Sequence, residues 1–377
     1  MTHNSFRVFV FAILAGLAMP MLAADVRGAD WPMWRYDAGR TAATTEELPE
    51  QLHLQWVRHL PEPVAGWPAS QYKLQFDASY EPVVMDKLMF VPSMLRDSVT
   101  AYDTETGKLA WRFHAEGPVR FAPVAQGGKV WFVSDDGYLY CVKADDGSLL
   151  WKFRGGPSDR RVIGNNRLVS MWPARGGPVL YDGTIYFGAS IWPFMGIFIH
   201  ALDAETGEVV WTNSGSGSIY ILQQHDSPAF AGVAPQGYIA ATEDVLLVSG
   251  GRTVPAAYDR KTGRFLYYYV SSRQFGNSAG GYAVTTLGNW FFNGGAMYRV
   301  SDGAGLLFAR GFPTADTLYR PYEKTFSAIG LPPEQAGEGD KKKLVLREKW
   351  RAAFDPAPEQ IFLKAASRLY GGRDDGA

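Results

Sequence analysis

Apolar residues along the chain fall in short runs separated by Gly, Asp and Asn, and the runs come in pairs. Segments 83–85 and 88–91, 122–125 and 129–133, 179–181 and 184–187, and 237–241 and 245–248 each read as two strands joined by a turn. After each pair comes one pattern: a strand ending in a small residue, Asp-x-x-Thr-Gly, and a Trp four residues beyond the Gly.

The first copy holds Ala101, Asp103, Thr106, Gly107 and Trp111, and the third repeats it as Ala201, Asp203, Thr206, Gly207 and Trp211. The second keeps the skeleton, with Cys141 and Lys143 in the Ala and Asp places, then Gly147 and Trp151. A fourth runs from Ala257 through Asp259, Thr262 and Gly263 to Tyr267, which stands where Trp stood. The physical logic predicts a hairpin. Asp and Thr side chains cap a tight turn, and Gly supplies its positive φ without steric cost. The small residue lets strands approach, and the Trp reaches into the gap between adjacent sheets, where burying roughly 200 Å² contributes at most about 5 kcal/mol.

The spacing of the first two copies, about 40 residues, is the period of a four-stranded propeller blade. The chain therefore reads as an all-β propeller of antiparallel four-stranded blades, with about five visible and a sixth begun. The fifth is degenerate and loses the pattern after Gly303. Residues 25–53 read as an N-terminal extension, 54–308 as blades, 309–358 as a linker or insertion, and 359–377 as the start of a further blade. Trp56 occupies a docking position in an isolated outer strand, and 363–376 aligns without a gap on 124–137. On this reading a downstream segment or a second chain completes the ring.

The Asp-x-x-Thr-Gly-x-x-x-Trp repeats resemble those of pyrroloquinoline quinone (PQQ) dehydrogenases and of the related outer-membrane assembly propellers, over roughly residues 55–300. The resemblance implies the blade and says little of chemistry, because the same blade occurs with and without cofactor. Dehydrogenases of this kind hold Ca²⁺ with carboxylate and amide side chains, use an Asp base, and often stack a disulfide of adjacent Cys residues on the quinone. Cys141 is the sole cysteine, so that disulfide is impossible. Asp97, Asp226 and Asp244 are open candidates for the base. The expectation is a binding or scaffolding module for a protein partner or small ligand. A PQQ- and Ca²⁺-dependent alcohol or sugar dehydrogenase, or the propeller part of a larger enzyme, is the competing reading.

Composition changes the picture in two places. The formal net charge of -1 offers neither the basic field that nucleic acid requires nor one for an anionic membrane. The N-terminus, with His3 and Arg7 before an apolar run at 8–18 and small residues Ala23 and Ala24, reads as a secretory signal peptide over 1–24, too short to span a membrane. A soluble secreted or periplasmic product follows.

Candidate chemistry sits outside the blades. The longest insertion, 157–177, carries Asn165, Asn166, Arg167, Trp172 and Arg175 and reads either as a ligand rim or as a cover over the neighbouring blade. Segment 191–198, with Trp192 and Phe194, is too apolar for a free loop, which suggests a partner or packing within the chain. Arg175, Asp226 and Arg252 are the candidate ligand-rim residues, of which Arg252 could reach an anionic ligand. His225 beside Asp226 lacks the spacing of a metal site.

Overall fold

The computed structural model describes residues 29–222, 227–270, 280–337, 343–354 and 358–373. The expected signal peptide, Asp226, and the Asp374-Asp375-Gly376 end of the repeat alignment lie outside the described residues.

Each pair of short apolar runs forms the first two strands of a meandering antiparallel sheet. Blade 1 comprises Val83–Met85, Leu88–Ser93, Ser98–Asp103 and Leu109–His114. Blade 2 comprises Val124–Gln126, Lys129–Val133, Tyr138–Lys143 and Leu149–Arg154. Blade 3 runs through Ala174–Tyr181, Thr184–Ala189, Phe198–Asp203 and Val209–Asn213, and blade 4 through Gly237–Ala241, Val245–Val248, Val254–Asp259 and Phe265–Tyr269. Blade 5 is Thr285–Leu287, Trp290–Asn293, Ala296–Arg299 and Gly305–Phe308. Blades 3 and 4 join into one eight-stranded sheet because their first strands pair in parallel at Gly176–Gly237 and Gly177–Tyr238.

Two expectations are corrected. Residues 309–358 are not a linker: Phe312–Pro313, Thr317–Tyr322, Thr325–Gly330 and Glu348–Ala353 form a sixth four-stranded sheet. It escaped the pattern because a hairpin of Glu334–Ala336 and Lys343–Val345 replaces the Asp-x-x-Thr-Gly turn. Six blades are therefore complete rather than five. Beyond them Gln360–Ala365 and Arg368–Gly372 form a hairpin, with Ala43–Thr44 paired in parallel on its inner edge.

The repeat motif works as an Asp cap plus a ring seat. Asp103 Oδ1 accepts from the Thr106 amide at 2.7 Å and its hydroxyl at 2.6 Å, and Asp203 and Asp259 repeat this with Thr206 and Thr262. In blade 2, where Lys143 stands in the Asp place, Asp146 caps the Ser148 amide instead. The Gly that follows is in the left-handed region at each copy, and the ring from the preceding outer strand lies on it. Trp56 covers Gly107, Trp111 covers Gly147, Trp151 covers Gly207, Trp211 covers Gly263 and Tyr267 covers Gly303. Each ring also donates to a carbonyl of the turn that receives it. Trp111, Trp211 and Tyr267 reach Ala144, Arg260 and Val300, while Trp151 moves to Glu205 because Trp131 takes Ala204. Trp56 docks on blade 1 in this way without belonging to a paired strand.

The N-terminal extension fills the centre. Trp31 bridges Val84 of blade 1, the Pro32 carbonyl accepts from Ala125 of blade 2, the Ala38 carbonyl from Ala241 of blade 4, and the Gly39 carbonyl from Thr286 of blade 5. The Ala42 carbonyl then accepts from Lys364 in the final hairpin. Arg40, fully buried, donates to the carbonyls of Trp34, Pro178 and Ile239 at 3.0, 2.7 and 2.8 Å. This plug lies at the end of the ring carrying the turns between first and second strands, since Asp30 accepts from the Asp86 amide there.

A second segment, 64–77, covers the opposite end. Its Trp67 donates to Gln236, its Leu74 packs on Gly251, and its Phe76 stacks on Phe121 with centroids 4.5 Å apart. Phe121 meets Tyr238 edge to face, and Tyr238 stacks on Trp34 of the plug at 3.7 Å. A column of aromatic rings thus joins the two covers through the axis.

Candidate functional site

On the face opposite the plug, four charged side chains from distant parts of the chain meet below the protein surface. Asp135 comes from the turn between the second and third strands of blade 2, Arg175 from the first strand of blade 3, Arg120 from the link entering blade 2, and Asp77 from segment 64–77. Arg175 Nε and Nη2 donate to Asp135 at 2.9 Å each; Arg120 donates to Asp135 at 2.7 Å and to Asp77 at 2.5 Å. All four are buried. Burial works to raise the pKa of Asp135, but the guanidiniums of Arg175 and Arg120 outweigh it and hold the carboxyl at about 2. For Asp77 burial prevails over Arg120, and the pKa lies above the usual carboxylate value. Two positive and two negative groups leave the cluster without net charge.

Above this cluster opens a cleft of about 520 Å³. One wall is a hairpin, Arg161–Gly164 and Arg167–Ser170, whose turn residues Asn165 and Asn166 both take positive φ. Asn tolerates that conformation better than other L residues except Gly, so the 157–177 insertion is a hairpin rather than an open loop. Its last four residues, 174–177, belong to the first strand of blade 3. The hairpin is tied down by Arg167, which binds Asp97 and the carbonyls of Met94 and Leu95, and by Arg161, which binds Glu116. The other wall is the 191–195 segment, with a short 3-10 turn at Pro193–Met195. Trp172, two residues past the hairpin, is buried and donates to the Met195 carbonyl at 2.8 Å, which ties the two walls together.

The rims are apolar and open to solvent: Ile163 is 84% exposed, Phe194 69% and Trp192 47%. Val169 is buried within the cleft, half-buried Trp67 and exposed Pro68 also line it, and Arg175 forms part of the floor.

The candidate residues separate clearly. Arg175 lies in the cleft. Arg252 is exposed, bonds Gln71, and does not line the cleft. Asp226 lies outside the described residues. Sequence reasoning missed Asp77, Arg120 and Asp135, because no local motif marks side chains that meet only when segment 64–77 packs on blades 2 and 3. Asp97 binds Arg167, and Asp244 pairs with Lys261 on the surface.

The described residues lining the cleft include no carboxylate that could hold Ca²⁺ beside a quinone. Among the described residues no three carboxylate, His or Cys side chains gather as a metal site. The carboxylates nearest the cleft already bind Arg side chains. The Cys141 thiol is buried, and that burial pushes its pKa up to about 12. The axis itself is packed with rings.

Comparison with known proteins gives the same blade. Residues 33–184 match the family model of the outer membrane protein assembly factor BamB. A serine/threonine-protein kinase AfsK of Streptomyces coelicolor is 30% identical over 39% of this chain and 20% of its own length. The outer membrane protein assembly factor BamB of Yersinia pestis is 24% identical over 58% of this chain and 45% of its own. The chain thus spans less than half the length of these curated relatives. Among solved structures, the quinohemoprotein alcohol dehydrogenase ADHIIG of Pseudomonas putida HK5 superposes with a TM-score of 0.53 at 13% identity, over 92% of this chain and 70% of that one. At such identity the likeness concerns the fold. The repeat motif, the four-stranded blades and these matches together make the chain a β-propeller whose blades are similar to those of the PQQ-like repeat proteins.

Proposed function

We propose that this propeller is an exported binding module whose ligand-bearing surface is the cleft between the 161–170 hairpin and the 191–195 segment. The observation that carries the reading is the pairing of an apolar, solvent-open rim with a polar buried floor, the usual composition of a ligand site. The ring supplies rigidity, and the cleft is built from excursions on that ring, where propellers differ most from one another. Relatives named for outer-membrane assembly favour a module that binds. Those named as quinone-dependent alcohol dehydrogenases favour an enzyme, against which the donor set stands. Export rests on the N-terminal apolar run; no described helix is long and apolar enough to cross a membrane.

The test uses N-phenyl-1-naphthylamine, a neutral dye that fluoresces in apolar surroundings. The wild-type protein is expected to bind it with a single site. Paired Ile163→Asp and Phe194→Asp substitutions, both on exposed side chains, are expected to weaken binding at least about tenfold while leaving the circular dichroism spectrum unchanged, since two apolar contacts of about 1 kcal/mol or more are lost. Equal binding by wild type and variant would sink the cleft reading. Displacement of the dye by PQQ with Ca²⁺, with a rise in Tm, would support the dehydrogenase instead.

A further inference from the structure

We infer that the outer strand of blade 6 and the free edge of Arg368–Gly372 together dock a partner strand of the repeat type, whose glycine turn seats Trp350. Register carries the first step. In blades 1 to 4 the docking ring stands opposite the small residue of the third strand: Ala101 pairs with Trp111, Cys141 with Trp151, Ala201 with Trp211 and Ala257 with Tyr267. A register shift follows each pair by one residue. In blade 6 Ala328 pairs with Trp350, and the same shift follows at Ile329. Trp350 is therefore a docking ring by position, although the turn that marks such rings in the sequence is replaced by a hairpin.

What Trp350 lacks is a seat. Trp111, Trp211 and Tyr267 lie on a neighbour's glycine and are 8%, 9% and 8% exposed, whereas Trp350 is 46% exposed and covers none of the described glycines. It stacks instead on Phe326, centroids 6.0 Å apart, and exposed Phe354 meets the same ring. A ring on the fourth strand of one blade lands on the turn after the third strand of the next, so this seat belongs to a third strand beside Arg368–Gly372. The hairpin of Gln360–Ala365 and Arg368–Gly372 already packs on blade 6 as a next blade does. Ile361 shares a buried core with Phe312, and Leu363 and Leu369 lie against it with Tyr319 and Phe326. Arg368–Gly372 ends its sheet, and no described strand pairs with its other edge. An apolar face thus continues from that core through Phe326 to Trp350, beside a strand edge with unpaired amides and carbonyls.

These features define the occupant. Edge pairing supplies main-chain hydrogen bonds, and the ring supplies specificity, because only Gly combines positive φ with no Cβ beneath an indole. Trp56 shows that such a contact holds a segment without a ladder: it covers Gly107 and donates to the Thr104 carbonyl while outside any paired strand. A second copy of this chain does not fit, since the third strand of each of the six complete blades is paired on both edges. The partner is therefore an extended segment with a small residue, an Asp cap and a glycine turn of its own.

The experiment adds a fluorescein-labelled peptide of residues 98–108, the third strand and turn of blade 1, to the whole protein and follows anisotropy. Wild type is expected to bind it. Trp350→Ala in the protein and Gly107→Val in the peptide are each expected to weaken binding at least about tenfold. Combined, they should weaken it no further than either alone, because both remove one contact. Circular dichroism checks that Trp350→Ala keeps the fold, and the peptide substitution tests the seat with the protein unaltered. No binding by wild type, or losses that multiply independently, overturns the proposal. Concentration-dependent self-association that Trp350→Ala abolishes would assign the face to a second copy and overturn it as well. None of these outcomes bears on the cleft, which is built from other elements.

Discussion

At Gly207 the backbone sits at φ +77°, and a Cβ would stand 2.7 Å from a ring carbon of Trp151. Gly183 has nearly the same φ, +70°, yet nothing lies within 4 Å of its Cβ position. The pair separates backbone strain from ring displacement. Gly183→Ala is expected to cost about 1 kcal/mol through strain alone, and Gly207→Ala about 2 to 4 kcal/mol because Trp151 must also leave its seat. Denaturant midpoints of the two variants check this; equal losses would mean the ring contact contributes nothing. His200 provides the other residue-scale prediction. It is buried between Phe153, Phe187 and Phe198, bonded to the Gly155 carbonyl and Thr212 Oγ1 at 2.9 Å each, and burial pushes its pKa down to about 4. The unfolded chain takes up a proton below its ordinary pKa of 6.5, while the folded one does not until about 4. Stability is therefore full above pH 6.5 and is lost as pH falls through that window, by about 3 kcal/mol. Urea titrations at pH 7 and pH 4 should show that extra loss in wild type and not in His200→Gln.

Among elements, the legible ones were those whose local sequence carries the whole instruction. The turns of blades 1, 3 and 4 were readable because an Asp cap, a Thr and a Gly within five residues specify one geometry without help from elsewhere. Blade 2 keeps that turn with Lys143 in the Asp place, and the skeleton of Gly147 and Trp151 sufficed to find it. Blade 6 was not readable, since its third and fourth strands are joined by a hairpin instead of the motif, and Trp350 stacks on Phe326 of its own sheet rather than on a neighbour's Gly. The insertion at 157–177 was visible as an excursion, and its aromatic counterpart at 191–198 as too apolar for a loop. Their convergence on one cleft was not, because Trp172 and Met195 are brought together only by the packing of blade 3. Likewise Arg175 was singled out as a candidate, but its partners Asp135, Arg120 and Asp77 carry no local signal of the meeting.

For the molecule as a whole, the decisive element is the N-terminal segment, which the repeat pattern left as a bare extension. Arg40 is its anchor: three buried carbonyls from three parts of the chain accept from one guanidinium, over the face of Tyr238 at 5.9 Å. Burial lowers its pKa to about 10, so it stays charged at neutral pH. Arg40→Met is expected to cost about 3 kcal/mol or more, since charged hydrogen bonds of about 1.5 kcal/mol or above are removed and buried acceptors are left unpaired. The check is a denaturant titration together with limited proteolysis, in which the variant should be cut within residues 29–44 before any blade is cut. Retained stability with an uncut segment would show that the aromatic column holds the plug alone.

The plug also sets an order in time. A polypeptide is made from its N-terminus, so Trp31, Met33 and Trp34 emerge before every surface that shelters them, and the Lys364 amide that meets the Ala42 carbonyl emerges long after. The earliest apolar residues of the ring thus wait for cover made well after them. Met33 and Trp34 wait for blades 1 to 4 and Trp31 for the sixth sheet and final hairpin; until then they are a sticky, unsheltered end, which favours a holding partner or rapid completion.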